Sequence, residues 1–585
     1  LLDDFYLELE PVGRLDIVAA LSKRAVDYYA ALPPELRSAE TDRNRALALV
    51  RYGGALRTQS RLDESQKALS DATAVLGELR KQGDRSEASA IGLGLGYVSL
   101  ARVAGSRNRR PEEREFVKQG VEVLKPLMAT TTPSIPLRRA YGLTLTYLGF
   151  SQLNGNQEED AIKTLEEARG AYRSIDGLKF DDLPSAVGYA EASSWQMSAL
   201  QNLGRSDQVR TVGEDAVNVA GQVLARRPGN MSALRARALI ADTLAVTEGF
   251  DLHTRKARAL AEQGAHDWEA IVALDPSNQI AWNNLASSRL GVGFWSLSLG
   301  DPHEAVTQWR AALEIERHVK EAAFLGNVLA LCAGYVTMLE SDLGNRQAAE
   351  AALAANRRLI DQSVRGLPPD SFGRSFLPEF LGYYGYPTTG FGYGAYALPL
   401  AAGDDETVRR EARASVKRIE EIKSANPEQA LNRNRMLEVA YRTAAESSYR
   451  LKDYAAADAE IKRALEVHRG IPIRTLNERR DEADQIMLAA RIAARLGRTA
   501  EAQRMVEPVL KLHRDLHARK DNEDAFQRVE LAEALYVSAL AAPAQRSSQL
   551  TEAAALMDGL PAAARQQISN KTLRGWIAEE QKKRG

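Results

Sequence analysis

The sequence predicts an all-α protein, a right-handed superhelical α-solenoid built from antiparallel helix pairs. Three observations carry that prediction: a helix-favouring composition, small residues recurring at one fixed spacing, and turn chemistry placed between the periodic segments. Of the 585 residues, 44% are hydrophobic, 26% charged and only 6% aromatic, and the abundance of Ala, Leu, Glu and Arg favours helix in a folded chain. A chain of this length would hold about four ordinary domains, unless it is a repeat array that grows in one dimension.

Taken in order, residues 1–44 precede the first periodic unit and form a helical cap or linker. Residues 45–365 follow as a solenoid. Its clearest unit is YGLTLTYLGFSQLNGNQEEDAIKTLEEARGAY, Tyr141 to Tyr172, with Leu148 and Gly149 in a first helix and Ala161, Leu165 and Ala168 in a second. Small residues let two helices cross closely, and large ones fill the groove beside the crossing. The step from Gly149 to Ala161 is 161 − 149 = 12 residues, and it recurs from Gly53 to Ser65, Ala445 to Ala457 and Ala490 to Ala502. Apolar residues follow four and seven positions on, as Leu69 and Ala72, Ile461 and Ala464, and Val506 and Val509; that spacing is one helical face.

A longer step of 305 − 286 = 19 separates Ala286 from Ala305, and the same step can be read from Gly94 to Glu113 and from Ala330 to Ala349. Seven extra residues are close to one added turn on each helix, so these hairpins are expected to be lengthened. At Gly300-Asp301-Pro302-x-Glu304 a helix stop meets a capped start, with Glu304 placed to complete a capping box. Residues 366–403, rich in Gly, Pro and Tyr, cannot form long regular helices. They are either a packed insertion whose aromatic rings plug a seam or a surface that touches a ligand. The repeat resumes over 404–568, and 569–585 form a polar capping helix, for about ten or eleven helix pairs in all.

These units resemble tetratricopeptide repeats, in which the first helix carries W…LG…Y and the second A…F…A…P. The best literal match is EAIVALDPSNQIAWNNLA, where Pro276 closes one unit and Trp282, Leu285 and Ala286 open the next, followed by Ala305, Trp309 and Ala312. The resemblance implies that first helices line an inner groove and that the work is binding a protein or peptide partner. Phase places Arg51, Tyr147, Asn283, Asn284 and Arg442 on that groove, and Tyr383, Tyr384, Tyr386 and Tyr393 join them from the insertion as candidate contacts. An asparagine ladder like that of O-linked glycosyltransferases would need Asn where Arg51, Tyr147, Val328, Thr443 and Leu488 stand, and Asn283 and Asn284 lack the basic neighbours of a chaperone-type carboxylate clamp. The opening LLDDFYLELEPVGRLDIVAALSKRAVDYYAALPPE resembles the junction leading into the repeats of large bacterial signalling proteins, where a STAND-type NTPase, kinase or TIR-like module lies upstream. That implies a sensor region with an attached effector domain, and a first residue of Leu fits a fragment or processed product. A standalone scaffold without switching is the alternative reading, and an enzyme with an unrecognised site the minor one.

Motifs for catalysis fail on context. GLGLGYV at Gly92 to Val98 imitates a kinase glycine loop but sits in a predicted helix, and His513-Arg514-Asp515-Leu516 imitates a catalytic loop but has Lys520 where Asn is required. His513 and His517 share a helical face without a third ligand, and are expected to be a surface pair. No cofactor, metal or catalytic residue is therefore expected. The net charge of −1 gives no global attraction to nucleic acid or an anionic membrane. The basic run Arg102 to Arg114 has no interleaved aromatic rings for stacking and falls at a turn. The apolar stretch around Cys332 is expected to be a core helix, and a single cysteine fits a reducing, cytoplasmic compartment.

Overall fold

The computed structural model describes residues 15–59, 61–107, 109–129, 132–177, 182–319, 323–384, 393–473, 475–519 and 522–583. Among them are 26 α-helices and no strand. They fall into two compact units. The first comprises the residues up to Thr247 with Gln263–Trp282, and the second Glu248–Glu262 with Asn283–Gly585.

The first unit holds α1 (Leu15–Ala30), α2 (Ala39–Thr58), α3 (Leu62–Lys81), α4 (Glu87–Ser106), α5 (Arg110–Met128), α6 (Ile135–Leu153), α7 (Glu158–Asp176), α8 (Leu183–Asn202) and α9 (Ser206–Arg226). Three helices contribute to both units, namely α10 (Met231–Phe250), α11 (Thr254–Leu274) and α12 (Gln279–Ser298). The second unit continues with α13 (Pro302–Leu313), α14 (Ala323–Asp342), α15 (Arg346–Arg365), α16 (Phe372–Glu379), α17 (Ala397–Ala401), α18 (Asp405–Glu420), α19 (Pro427–Arg450) and α20 (Tyr454–His468). It ends with α21 (Leu476–Arg495), α22 (Thr499–His517), α23 (Ala525–Ala541), α24 (Arg546–Asp558), α25 (Ala562–Gln566) and α26 (Ile568–Lys582).

Successive helices pack against one another, and in the pairs α2/α3 and α6/α7 the 12-residue step marks the close crossing. Ser65 donates its Oγ hydrogen to Gly53 O at 2.6 Å, and a methyl group added to Gly53 would lie 2.6 Å from Leu69 Cγ. The same closeness joins Gly149 to Leu165, which is fully buried.

Among the described residues, the hairpins expected to be lengthened are no longer than the others. The helices concerned, α4, α5, α12, α14 and α15, run 19 or 20 residues, like α6 and α7, while α13 has 12 before a 3-10 turn over Glu314–His318. The crossing residue of α12 is Gly293, whose missing side chain makes room for Trp309. That spacing, 309 − 293 = 16, equals the 69 − 53 = 16 of Gly53 and Leu69 and the 165 − 149 = 16 of Gly149 and Leu165, and Gly293 to Ala305 is again 12. Seven residues are nearly two turns of one helix, so Ala286 shares the face of Gly293 and imitates it in sequence.

At the junction before α13, Gly300 takes φ +81° and the Asp301 side chain accepts from Glu304 N at 3.1 Å. The reciprocal half of the expected capping box is missing, because Glu304 Oε1 instead accepts from Gln308 at 2.8 Å. The glycines of GLGLGYV pack inside α4 against Leu47, Leu124 and Thr73. By length and composition α4 could cross a membrane, yet most of it is buried inside the protein. The stretch around Cys332 forms α14, where burial pushes the thiol's pKa up, away from the reactive thiolate.

The second unit closes on itself. At the end of α14, Asp342 accepts from Ser569 N at 2.7 Å, Ser569 Oγ at 2.8 Å and Gln567 Nε2 at 2.9 Å, at the start of α26. Within the same unit Arg255 pairs with Glu523 at 2.6 Å, and Thr254 Oγ1 donates to Asp524 at 3.3 Å.

Candidate binding cleft in the second unit

Closure of the second unit leaves an inner cleft of about 200 Å³. First helices of successive pairs supply its charged wall. Arg442, Glu446 and Arg450 recur every four residues along α19, Asp484 and Arg491 stand seven apart on α21, and Glu533 comes from α23. These spacings put each set on one helical face. Trp576 and Asn570 of α26 close the cleft opposite, and Tyr383, Tyr384, Tyr393 and Tyr396 form its aromatic end.

Arg491 is the hub. It is 2% exposed, donates to Glu533 Oε1 at 3.1 Å, also pairs with Glu446, and lies over the rings of Tyr449 at 4.5 Å and Trp576 at 5.1 Å. Burial opposes ionisation of Glu446, but Arg491 and Arg450 overcome it and hold that carboxyl below its usual range. For Glu533 the balance reverses, with burial outweighing Arg491 and raising the pKa.

Deeper along α21 the carboxylates outnumber their cations. Arg480 grips Glu530 at 2.8 and 3.0 Å, with Asp524 at 3.7 Å, yet burial still raises Glu530. Burial and Glu530 push Asp484 up to about 6, and burial and Asp484 push Asp481 up to about 8. Arg442 approaches Asp484 only to 3.7 Å, an ion pair without a hydrogen bond.

His513, expected on the surface, is instead fully buried with its Nδ1 3.4 Å from Glu530 Oε2. It sits on the apolar face of α22 with Val506, Val509, Leu510 and Leu516, and burial lowers its pKa to about 4. His517 stays exposed and meets Gln527.

Of the residues singled out from sequence, Arg442, Tyr383, Tyr384 and Tyr393 line this cleft. Tyr384 Oη bonds Tyr396 Oη at 2.8 Å and Ser415 Oγ at 2.7 Å, while Tyr393 Oη donates to Leu331 O at 3.1 Å, in room left by Gly334. Tyr384, Tyr393 and Tyr396 of the insertion are thus wedged into the core and wall the cleft, while its first residues, from Gly366 to Ser375, are mostly exposed. Tyr383 is half-buried beneath Arg418, 5.3 Å from the ring centre. Tyr386 lies outside the described residues.

Asn283 and Asn284, on α12, do not line the cleft, and the corrected register puts Gly291 two residues before the crossing residue. In the first unit Arg51 is half-buried on α2, and Tyr147 on α6 lies under Arg102 at 5.0 Å. Sequence reasoning passed over Glu446, Asp484, Arg491 and Trp576. For the first three the signal was charge at helical spacing on α19 and α21, which are far more polar than the first helices α4, α6, α8, α10, α12 and α14.

No family model matches the chain, and no curated protein matches it. Solved structures that align with it include aspartyl phosphate phosphatase F from Bacillus subtilis, 14% identical with a TM-score of 0.38, over 75% of this chain and 97% of that one. Yeast Tom70 aligns at 12% identity and a TM-score of 0.28 over 92% and 96%, and a human IFIT1 dimer with m7Gppp-AAAA at 13% and 0.35 over 84% and 94%. At those scores the likenesses carry no argument about what this chain binds.

Proposed function

We propose that this chain is a binding repeat protein whose second unit receives a segment of a protein or peptide partner in the inner cleft. The observation that supports the reading most directly is the pair Arg442 and Asp484. Each is largely enclosed, each faces the cleft, and they stop 3.7 Å apart without a hydrogen bond. Charged groups so held are poised to bond an incoming peptide carbonyl, amide or side chain at little reorganisation cost. The regulatory version, in which binding is relayed to an attached signalling domain, rests on the resemblance of the N-terminal segment and belongs to the same proposal.

Selection of a displayed peptide library on the full chain tests it. Selected peptides should bind Arg442→Ala and Asp484→Asn at least about tenfold more weakly than the parent chain, a loss of about 1.4 kcal/mol. Equal binding to variants of unchanged helicity would move the site elsewhere.

A further inference from the structure

The helix α26 has the place of one more first helix, burying Leu573 and Ile577 in the core made by α23 and α24. A terminal capping helix needs only to cover that core and turn a polar face outward. Its other row does something different. Trp576 reaches α19, α21 and α23 at once, with ring centres 6.5 Å from Tyr449 and 6.2 Å from Tyr536, Arg491 at 5.1 Å and Arg450 at 5.6 Å. Four residues on, Glu580 is only 3% exposed and is held by Arg495 at 2.9 Å, by Arg546 and by Lys583 at 2.8 Å.

Two of those cations, Arg495 and Arg546, belong to the solenoid rather than to α26. A buried carboxylate clamped by arginines and a Trp laid against a guanidinium and two Tyr rings are the contacts by which a groove holds a helical ligand. The ligand here is a helix of the chain itself. Trp576 is only half-buried and faces open cleft volume, so the pocket it enters is larger than the ring that fills it.

We propose that the inner face of α19, α21 and α23 is a receptor for an amphipathic helix bearing an aromatic residue and, four residues later, a carboxylate, and that α26 is the resident occupant which such a partner displaces. The inference rests on the reading of the cleft as a binding site and names the partner's chemistry. Besides the Trp576 and Glu580 equivalents, the partner helix carries apolar residues at the places of Leu573 and Ile577. A tethered occupant acts at an effective concentration of about millimolar, so the partner's apparent affinity is lowered until α26 lets go.

The probe is a fluorescein-labelled synthetic peptide of residues 567–583, titrated against full-length chains and followed by anisotropy. The Trp576→Ala/Glu580→Ala chain, whose own helix is disarmed, is expected to bind it at least about tenfold more tightly than the parent chain. Adding Arg495→Ala should abolish that gain. Equal affinity for parent and disarmed chains, or no binding to a disarmed chain of parental helicity, overturns the proposal.

Should the disarmed chain lose its helicity, hydrogen exchange on the parent chain decides. Amides of 568–582 opening independently of α23 and α24 support a displaceable occupant, and opening with α24 as one cooperative unit refutes it. Library peptides that still depend on Arg442 and Asp484 would leave the cleft's binding role standing even then.

Discussion

The glycines at helix crossings show how one missing side chain sets the repeat. A mid-helix Gly costs about 0.5–1 kcal/mol relative to Ala, because the unfolded chain loses more freedom on ordering it. Gly149 is kept against that cost, since a methyl group there would stand 2.7 Å from Leu165 Cδ2 in a residue with no exposed surface to retreat into. Gly170, on the exposed side of α7, has nothing within 4 Å of where its Cβ would lie. The two positions should therefore respond with opposite signs. Gly149→Ala is expected to destabilise by about 1–3 kcal/mol through overpacking, and Gly170→Ala to stabilise by about 0.5–1 kcal/mol. Denaturant midpoints of the two variants check this, and a shift in the same direction at both would remove steric crossing as the reason for Gly149.

Between elements, the stitching in the second unit is ionic as well as apolar. Arg491 of α21 ties Glu446 of α19 to Glu533 of α23, all within low-dielectric surroundings. Its replacement by Met keeps the volume but takes the arginine from Glu533 and leaves Glu446 to Arg450 alone, and breaking such an enclosed ion pair costs up to about 3–5 kcal/mol. Arg491→Met should lower the urea midpoint accordingly, and adding Glu446→Gln and Glu533→Gln should recover most of the loss. If the triple variant stays as unstable as the single one, packing on Tyr449 and Trp576 is what Arg491 contributes. At this scale the sequence was informative in a particular way. The pairing step from Gly149 to Ala161 is local, fixed by one turn, and legible. The register of α12 was not, because Ala286 and Gly293 are two turns apart on one face and only the position of Trp309 across the pair distinguishes them. Arg442 was legible from its phase on a first helix, whereas Asp484 and Arg491 carried the same periodic signal but acquire their meaning from α19 and α23, which bring the opposite charges.

At the scale of the whole chain, what local pattern cannot contain is closure. Asp342 and Ser569 are 227 residues apart in sequence, and nothing around either marks the other. Their contact has a clear chemical sense. The first turn of α26 has no side-chain cap of its own from Gln567, so Asp342 serves as a cap supplied from α14, accepting the Ser569 N–H while its charge faces the positive end of the helix. It also satisfies Ser569 Oγ and Gln567 Nε2, the latter buried, so its removal leaves enclosed donors unpaired. Losing such a cap costs about 1–2 kcal/mol, which corresponds to a rise of roughly 5–30-fold in the opening of α26. Asp342→Ala should therefore speed hydrogen exchange across 568–582 by about that factor while leaving α20 and α22 protected, and Asp342→Asn, which keeps one acceptor oxygen, should fall between. If α26 is held chiefly by Leu573, Ile577 and the clamp on Glu580, exchange in Asp342→Ala stays at the parental rate, and closure of the second unit is a consequence of packing at its end rather than of the bond that joins α14 to it.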